Sequence, residues 1–202
     1  MNLPRSPVRV FIVDDQEVVR TGLRQLVERA DDLVLVGEAG TAAEAVARMP
    51  ALRPDVAILD ARLPDGSGIE VCRRVRSLEP AIRALLLTSY DDDDAVRATI
   101  LAGAAGYLLK DIRNLDLVAS IRAVAAGRPV IDPENLVSAR ARLVRERGAP
   151  HGTTLTRDER RVLALITAGR TDREISAELD LSTPSVHEHV HAVLAHLGTN
   201  PG

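Results

Sequence analysis

Apolar and polar positions follow two regimes along this chain. In the first, short apolar runs end on polar residues, and each run leads into a stretch with helical spacing. Val8 to Val13 is such a run and stops at Asp14-Asp15; Gln16 to Ala30 then repeats Val19, Leu23, Leu26 and Val27 along one helical face. Leu33 to Val36 predicts a second strand, and Thr41 with Glu44 predicts a capping box for a helix through about Leu52. Asp55 to Asp60 reads as the third strand, and Gly68 to Leu78 as the third helix, stopped ahead of Pro80. Ala84 to Leu87 is the fourth strand, ending at Thr88-Ser89, and the acids Asp91 to Asp94 suit the start of a fourth helix. Gly106 to Leu109 is the fifth strand, ending at Lys110, and Asn114 to Ala126 is a fifth helix closed by Gly127.

Strands alternating with helices predict an α/β unit with a doubly wound parallel sheet and right-handed crossovers. The expected fold is flavodoxin-like (βα)5 with strand order 2-1-3-4-5. That order gathers four strand ends around one crevice: Asp14 and Asp15, Asp60, Thr88, and Lys110. The second regime is all helical. Arg128-Pro129 to Pro133 breaks the alternation, Glu134 to Arg147 reads as a charged helix, and Gly148 to Gly152 as a flexible stretch. The arginines at 140, 142, 145 and 147 read as a solvated face of that helix. Beyond it, Thr156 with Glu159 and Thr171 with Glu174 are capping boxes, and Thr183-Pro184 gives an N-cap followed by a first-turn proline. Three helices follow, at about 157–168, 172–179 and 184–197. Asp180-Leu181-Ser182 between the last two has the length of a helix-turn-helix turn. The division is a lead over 1–7, an α/β domain over 8–128, a linker over 129–152 and a small all-α domain over 153–202.

Composition sharpens this picture in three places. With 46% hydrophobic residues but only Phe11, Tyr90 and Tyr107 as aromatics, the core must be aliphatic. The single cysteine, Cys72, excludes an internal disulfide, fits a reducing cytoplasm, and lies on the apolar stripe of the third helix with Ile69 and Val75. The net charge of −3 argues against a general polyanion binder. No apolar run reaches the length of a membrane span, and the lead over residues 1–7 lacks the hydrophobic segment of a signal peptide.

Three carboxylates converging on one crevice repel unless a cation joins them, and hard oxygen ligands select Mg²⁺ over zinc. A carboxylate beside Mg²⁺ can attack a phosphoryl group, with Lys110 and Thr88 placed to receive its oxygens. Val10 to Asp15, Leu59-Asp60 with Leu63-Pro64-Asp65-Gly66, Leu87-Thr88-Ser89, and Gly106 to Lys110 resemble the motifs of response-regulator receiver domains, over roughly residues 7 to 128. That resemblance implies phosphorylation of Asp60 by a sensor histidine kinase. It implies that Asp14, Asp15, Asp60 and the backbone carbonyl of Arg62 hold Mg²⁺. It also implies that Thr88 and Lys110 contact the aspartyl phosphate, and that Tyr107 turns inward when Thr88 moves.

The helical unit resembles the LuxR-type helix-turn-helix of NarL/FixJ regulators. The likeness rests on Leu155 to Arg160, Ala168 to Ile175, Leu181 to Val186, and Leu197-Gly198. "VGEAG", "RLPDGSGIEVCR" and "AGYLLKDI" place the chain closest to an actinobacterial dormancy-regulator branch of that family. Together these imply a cytoplasmic two-component regulator of transcription, a homodimer or heterodimer that binds DNA, with no enzyme activity beyond its own phosphorylation and dephosphorylation. The helical unit departs from the family in two ways. Its outward face presents Thr183, Pro184, His187, Glu188 and His191 as the DNA-facing candidates, and residues 153–202 carry five arginines against seven acids, a net of −2. Phosphate neutralisation supplies most non-specific DNA affinity, so such a reader is weak. The chain also stops at Asn200-Pro201-Gly202, short of the family's fourth helix. An alternative is therefore a phosphorylation-gated interaction protein or phosphate sink whose DNA-binding unit has decayed. His187 and His191, one turn apart, raise a third possibility of metal binding or pH sensing.

Overall fold

The computed structural model describes residues 6–88, 92–110, 117–131, 137, 139, 141, 143 and 155–196, with the side chains of 92–95 left out. Most of the lead, Ser89, the start of the fifth helix, the linker arginines, Gly148 to Gly152, and residues 197–202 lie outside the described residues.

The strands and helices alternate as the pattern predicts: β1 (Val8–Val13), α1 (Glu17–Glu28), β2 (Leu33–Ala39), α2 (Ala42–Leu52), β3 (Val56–Asp60), α3 (Gly68–Leu78), β6 (Arg83–Thr88), α4 (Asp92–Ala102), β7 (Gly106–Leu109) and α5 (Leu117–Ala125). The segment between β3 and α3 adds a two-rung hairpin, β4 (Arg62–Leu63) and β5 (Gly66–Ser67), which the Pro/Gly-rich sequence reads only as a loop. The five long strands form one sheet in the order β2-β1-β3-β6-β7, and every pairing within it is parallel. This is the predicted doubly wound arrangement. β3 is buried along its whole length, as a central strand covered on both faces must be.

α6 (Arg157–Thr167), α7 (Asp172–Leu179) and α8 (Thr183–His196) make the C-terminal unit. Thr156 and Thr171 form complete capping boxes with Glu159 and Glu174. The predicted N-cap at Thr183 is displaced by one residue. Thr183 is already helical, and the backbone N–H of Ser185 donates to the Ser182 hydroxyl at 3.2 Å, so Ser182 caps the helix. Thr41 accepts from the Glu44 backbone N–H, but the Glu44 carboxylate accepts from Gly40, so the box at α2 is only half formed. Asp65 completes that helix start from a distance in sequence, accepting from the backbone N–H groups of Ala42 and Ala43.

Two apolar clusters lie on the two faces of the sheet. One joins Val10, Ile12, Ile58, Leu85 and Leu87 to Leu23 and Val27 of α1 and to Leu117, Ile121 and Val124 of α5. The other starts with Phe11, Leu59 and Leu86 under α2, α3 and α4, and continues through Leu143 into Val162, Ile166, Ile175 and Val190 of the C-terminal unit. Residues 137, 139, 141 and 143 are helical, as the linker reading predicts. The helical unit therefore packs on the α3/α4 side of the sheet, with α7 against α3 and α6 against α4.

Candidate functional site: the acidic crevice and the interdomain contact

Asp14, Asp60, Thr88 and Lys110 come to one edge of the sheet because parallel strands point their carboxyl ends the same way. Asp14 follows β1, Asp60 ends β3, Thr88 ends β6, and Lys110 follows β7. The Lys110 ammonium donates to Asp60 Oδ2 at 2.7 Å and lies 2.9 Å from Asp14 Oδ2. Asp14 is fully buried and Asp60 nearly so, while Asp15 is exposed at the crevice mouth. Burial pushes the Asp60 carboxyl above its ordinary range, with the neighbouring Asp14 charge adding to it; hydrogen bonds from Lys110 and the Arg62 backbone N–H act against the rise. Burial also opposes the charge on Lys110, but its hydrogen bonds to Asp60 and Asp14 outweigh that and raise its pKa.

Oxygen atoms of Asp14, Asp15 and Asp60 lie within 4.8 Å of one another. Asp14 Oδ1 accepts from the Gln16 backbone N–H at 2.9 Å, and Oδ2 faces the Lys110 ammonium. This all-oxygen donor set fits a hard divalent cation such as Mg²⁺.

The loop that holds Asp60 is tightly folded. Ala61 N–H donates to Leu87 O, and Gly68 N–H donates back to Ala61 O. A Cβ at Gly68 would stand 2.1 Å from the Asp60 carbonyl oxygen, so only glycine fits there. Ser67 and Glu70 form a complete capping box that starts α3 directly after this loop. Thr88 is buried at the end of β6, and Lys110 N–H donates to its carbonyl at 2.8 Å. Tyr107 is half-buried and packs against the apolar cluster on the α3/α4 side. Sequence reasoning missed Arg20, whose Nη1 donates to the carbonyls of Asp14 (2.7 Å) and Asp15 (3.2 Å) and fixes the acidic turn. A basic residue one turn into the helix after paired acids is the only signal that could have pointed to it.

The DNA-facing candidates divide into two groups. Thr183, Pro184 and Glu188 are exposed. His187 and His191 instead turn toward carboxylates: His187 Nε2 lies 3.4 Å from Asp172 Oδ2, and His191 Nδ1 lies 2.9 Å from Glu70 Oε1 on the α/β domain. Among the described residues, the only cluster of three metal-type ligand atoms is the Asp14, Asp15 and Asp60 group, not the histidines. Beneath them Arg73, nearly buried, donates through Nε to Asp172 Oδ1 (2.8 Å), through Nη1 to Leu101 O (2.8 Å) and through Nη2 to Arg170 O (3.1 Å). Ser77 Oγ accepts from the Asp172 backbone N–H. Burial alone would raise the Asp172 pKa, but His187 and Arg73 outweigh it and lower it.

Comparison with known proteins agrees with this architecture. Residues 10–122 match the family described as "Response regulator receiver domain", and residues 153–201 match "Bacterial regulatory proteins, luxR family". The chain is 46% identical over 195 residues to the "DNA-binding transcriptional activator DevR/DosR" of Mycobacterium tuberculosis, covering 95% of this chain and 88% of that relative. It is 36% identical over 193 residues to the "Probable transcriptional regulatory protein NarL" of the same species, covering 96% and 89%. Among solved structures, a LuxR-family two-component response regulator from Aurantimonas sp. SI85-9A1 is 34% identical and superposes with a TM-score of 0.61, over 67% of this chain and 99% of that one. The crevice, the helix-turn-helix and these matches converge on one family, and this chain belongs to it: the LuxR-family response regulators, a receiver domain joined to a LuxR-type regulatory domain.

Proposed function

We propose that Asp60 takes a phosphoryl group from a sensor histidine kinase and thereby sets whether the helix-turn-helix binds promoter DNA. The observation that carries this reading is the Asp60–Lys110–Asp14 arrangement at the carboxyl edge of the sheet. One Asp60 oxygen attacks phosphorus, the phosphorus–nitrogen bond of a phosphohistidine breaks, and the histidine leaves with the electron pair. Mg²⁺ held by Asp14, Asp15, Asp60 and the Arg62 carbonyl would offset charge on the phosphoryl oxygens. Lys110 then exchanges its bond to the free carboxylate for one to a phosphoryl oxygen, and the Thr88 hydroxyl takes another. Tyr107 follows Thr88. Arg20 keeps the acidic turn in place throughout. Beyond forming and losing this acyl phosphate, the chain has no catalytic task.

Transcriptional control is favoured over a phosphate sink because α6 and α7 start with complete capping boxes and α8 buries Val186, Val190, Val193 and Leu194. The DNA-bound form would be a dimer acting in the cytoplasm, and among the described residues no helix is long and apolar enough to cross a membrane. Capture of genomic fragments at low salt tests the reading. Protein treated with acetyl phosphate is expected to enrich discrete sites, and Asp60→Asn to enrich few or none. An absence of enriched sites with the phosphorylated protein would overturn it.

A further inference from the structure

Glu70 stands between the phosphoacceptor loop and the recognition helix. Its Oε2 accepts from the Ser67 backbone N–H (3.2 Å) and hydroxyl (3.1 Å), closing the cap that begins α3 at the end of that loop. Its Oε1 lies 2.9 Å from His191 Nδ1 on α8. One carboxylate therefore serves both domains, and its side chain is 19% exposed against 60% for His191. From this geometry we infer that the Glu70–His191 contact is a proton-sensitive latch: protonation of His191 holds the receiver and the recognition helix closed against each other.

The sign follows from the carboxylate that His191 meets across the two domains. A protonated His191 meets an anion in the closed arrangement and loses it when the domains part, so protons favour closure. Beside that pair, Glu70 shares a pocket with Arg73 and Arg74 of α3, Asp172 of α7 and His187 of α8, and Glu188 is exposed on α8. His187 cannot carry the effect. Its carboxylate partner, Asp172, lies in its own domain and stays with it on opening, while Arg73 and Arg74 face it only when closed. Protonation of His187 thus opposes closure, and the two histidines act in opposite directions. The outcome reverses a simple charge argument, in which a cationic histidine face would strengthen DNA binding at low pH.

The latch rests on the proposed function only for its consequence on DNA, so its test leaves DNA out. Spin labels at Val18→Cys on α1 and Arg173→Cys on α7, both exposed sites, report the interdomain distance in the full chain by dipolar spectroscopy; native Cys72 is buried. The ratio of closed to open forms is expected to rise about two- to fivefold between about pH 8 and about pH 6, the scale of a partly exposed ion pair. Glu70→Gln keeps the cap, since glutamine serves that position equally, and removes the charge. It and His191→Gln should each abolish the rise, whereas His187→Gln should keep or enlarge it. A ratio that falls on acidification, a rise that survives both Glu70→Gln and His191→Gln, or no closed form at either pH overturns the inference.

Discussion

Asp60 sits in a site that does not suit its own charge. Its carboxyl is pushed up chiefly by burial, so the folded chain disfavours the ionised form relative to the unfolded chain. The stability lost this way is absent at low pH and appears as pH rises through the raised value. Asp60→Asn is therefore expected to stabilise the protein at pH 7, with the gain shrinking as pH falls, measured by urea unfolding at several pH values. Gly68→Ala acts in the opposite direction. The new methyl group meets the Asp60 carbonyl at 2.1 Å, and the backbone must move, at a cost of about 1–3 kcal/mol in the same assay. At this scale the site was largely legible in sequence. Asp14, Asp60, Thr88 and Lys110 each end an apolar run, and strand ends are where a parallel sheet places chemistry. Arg20 was not legible because it binds backbone carbonyls, which every residue carries.

Helix starts in this chain are set by short-range side-chain chemistry, and so most boundaries can be read locally. α3, α7 and β7 fall on the predicted residues. One miss is local and one is not. Thr183 looks like a cap because proline follows it, but Ser182 reaches the Ser185 N–H and takes the role. Asp65 reads as a loop residue, yet it supplies acceptors to α2 from 22 and 23 residues away. Ser67→Ala removes one half of the cap that joins the phosphoacceptor loop to α3. It should cost about 1 kcal/mol in thermal or urea unfolding, and more than Ser185→Ala, whose backbone N–H still finds its cap. Equal costs would show that the α3 cap has no special weight.

The arrangement of the two domains was the part that sequence could not reveal. Arg73 and Asp172 are 99 residues apart, and each looks like an ordinary exposed helix residue in its local pattern, yet they form a buried ion pair with side chains 3% and 1% exposed. Arg73→Ala leaves buried Asp172 with His187 but without its guanidinium, and is expected to destabilise the packed arrangement by about 3 kcal/mol, seen as domain separation in small-angle scattering. Asp172 is held below its usual value, so its contribution is present above the ordinary carboxylate range and is lost as pH falls through the lowered value. The helix that carries the DNA-facing candidates thus begins held against the receiver, and the event that releases it is assigned to Asp60. Intact-mass measurement after incubation with acetyl phosphate and Mg²⁺ tests that assignment most directly. The account predicts one added phosphoryl group on the native chain and none on Asp60→Asn; equal labelling of both, or of neither, would contradict it.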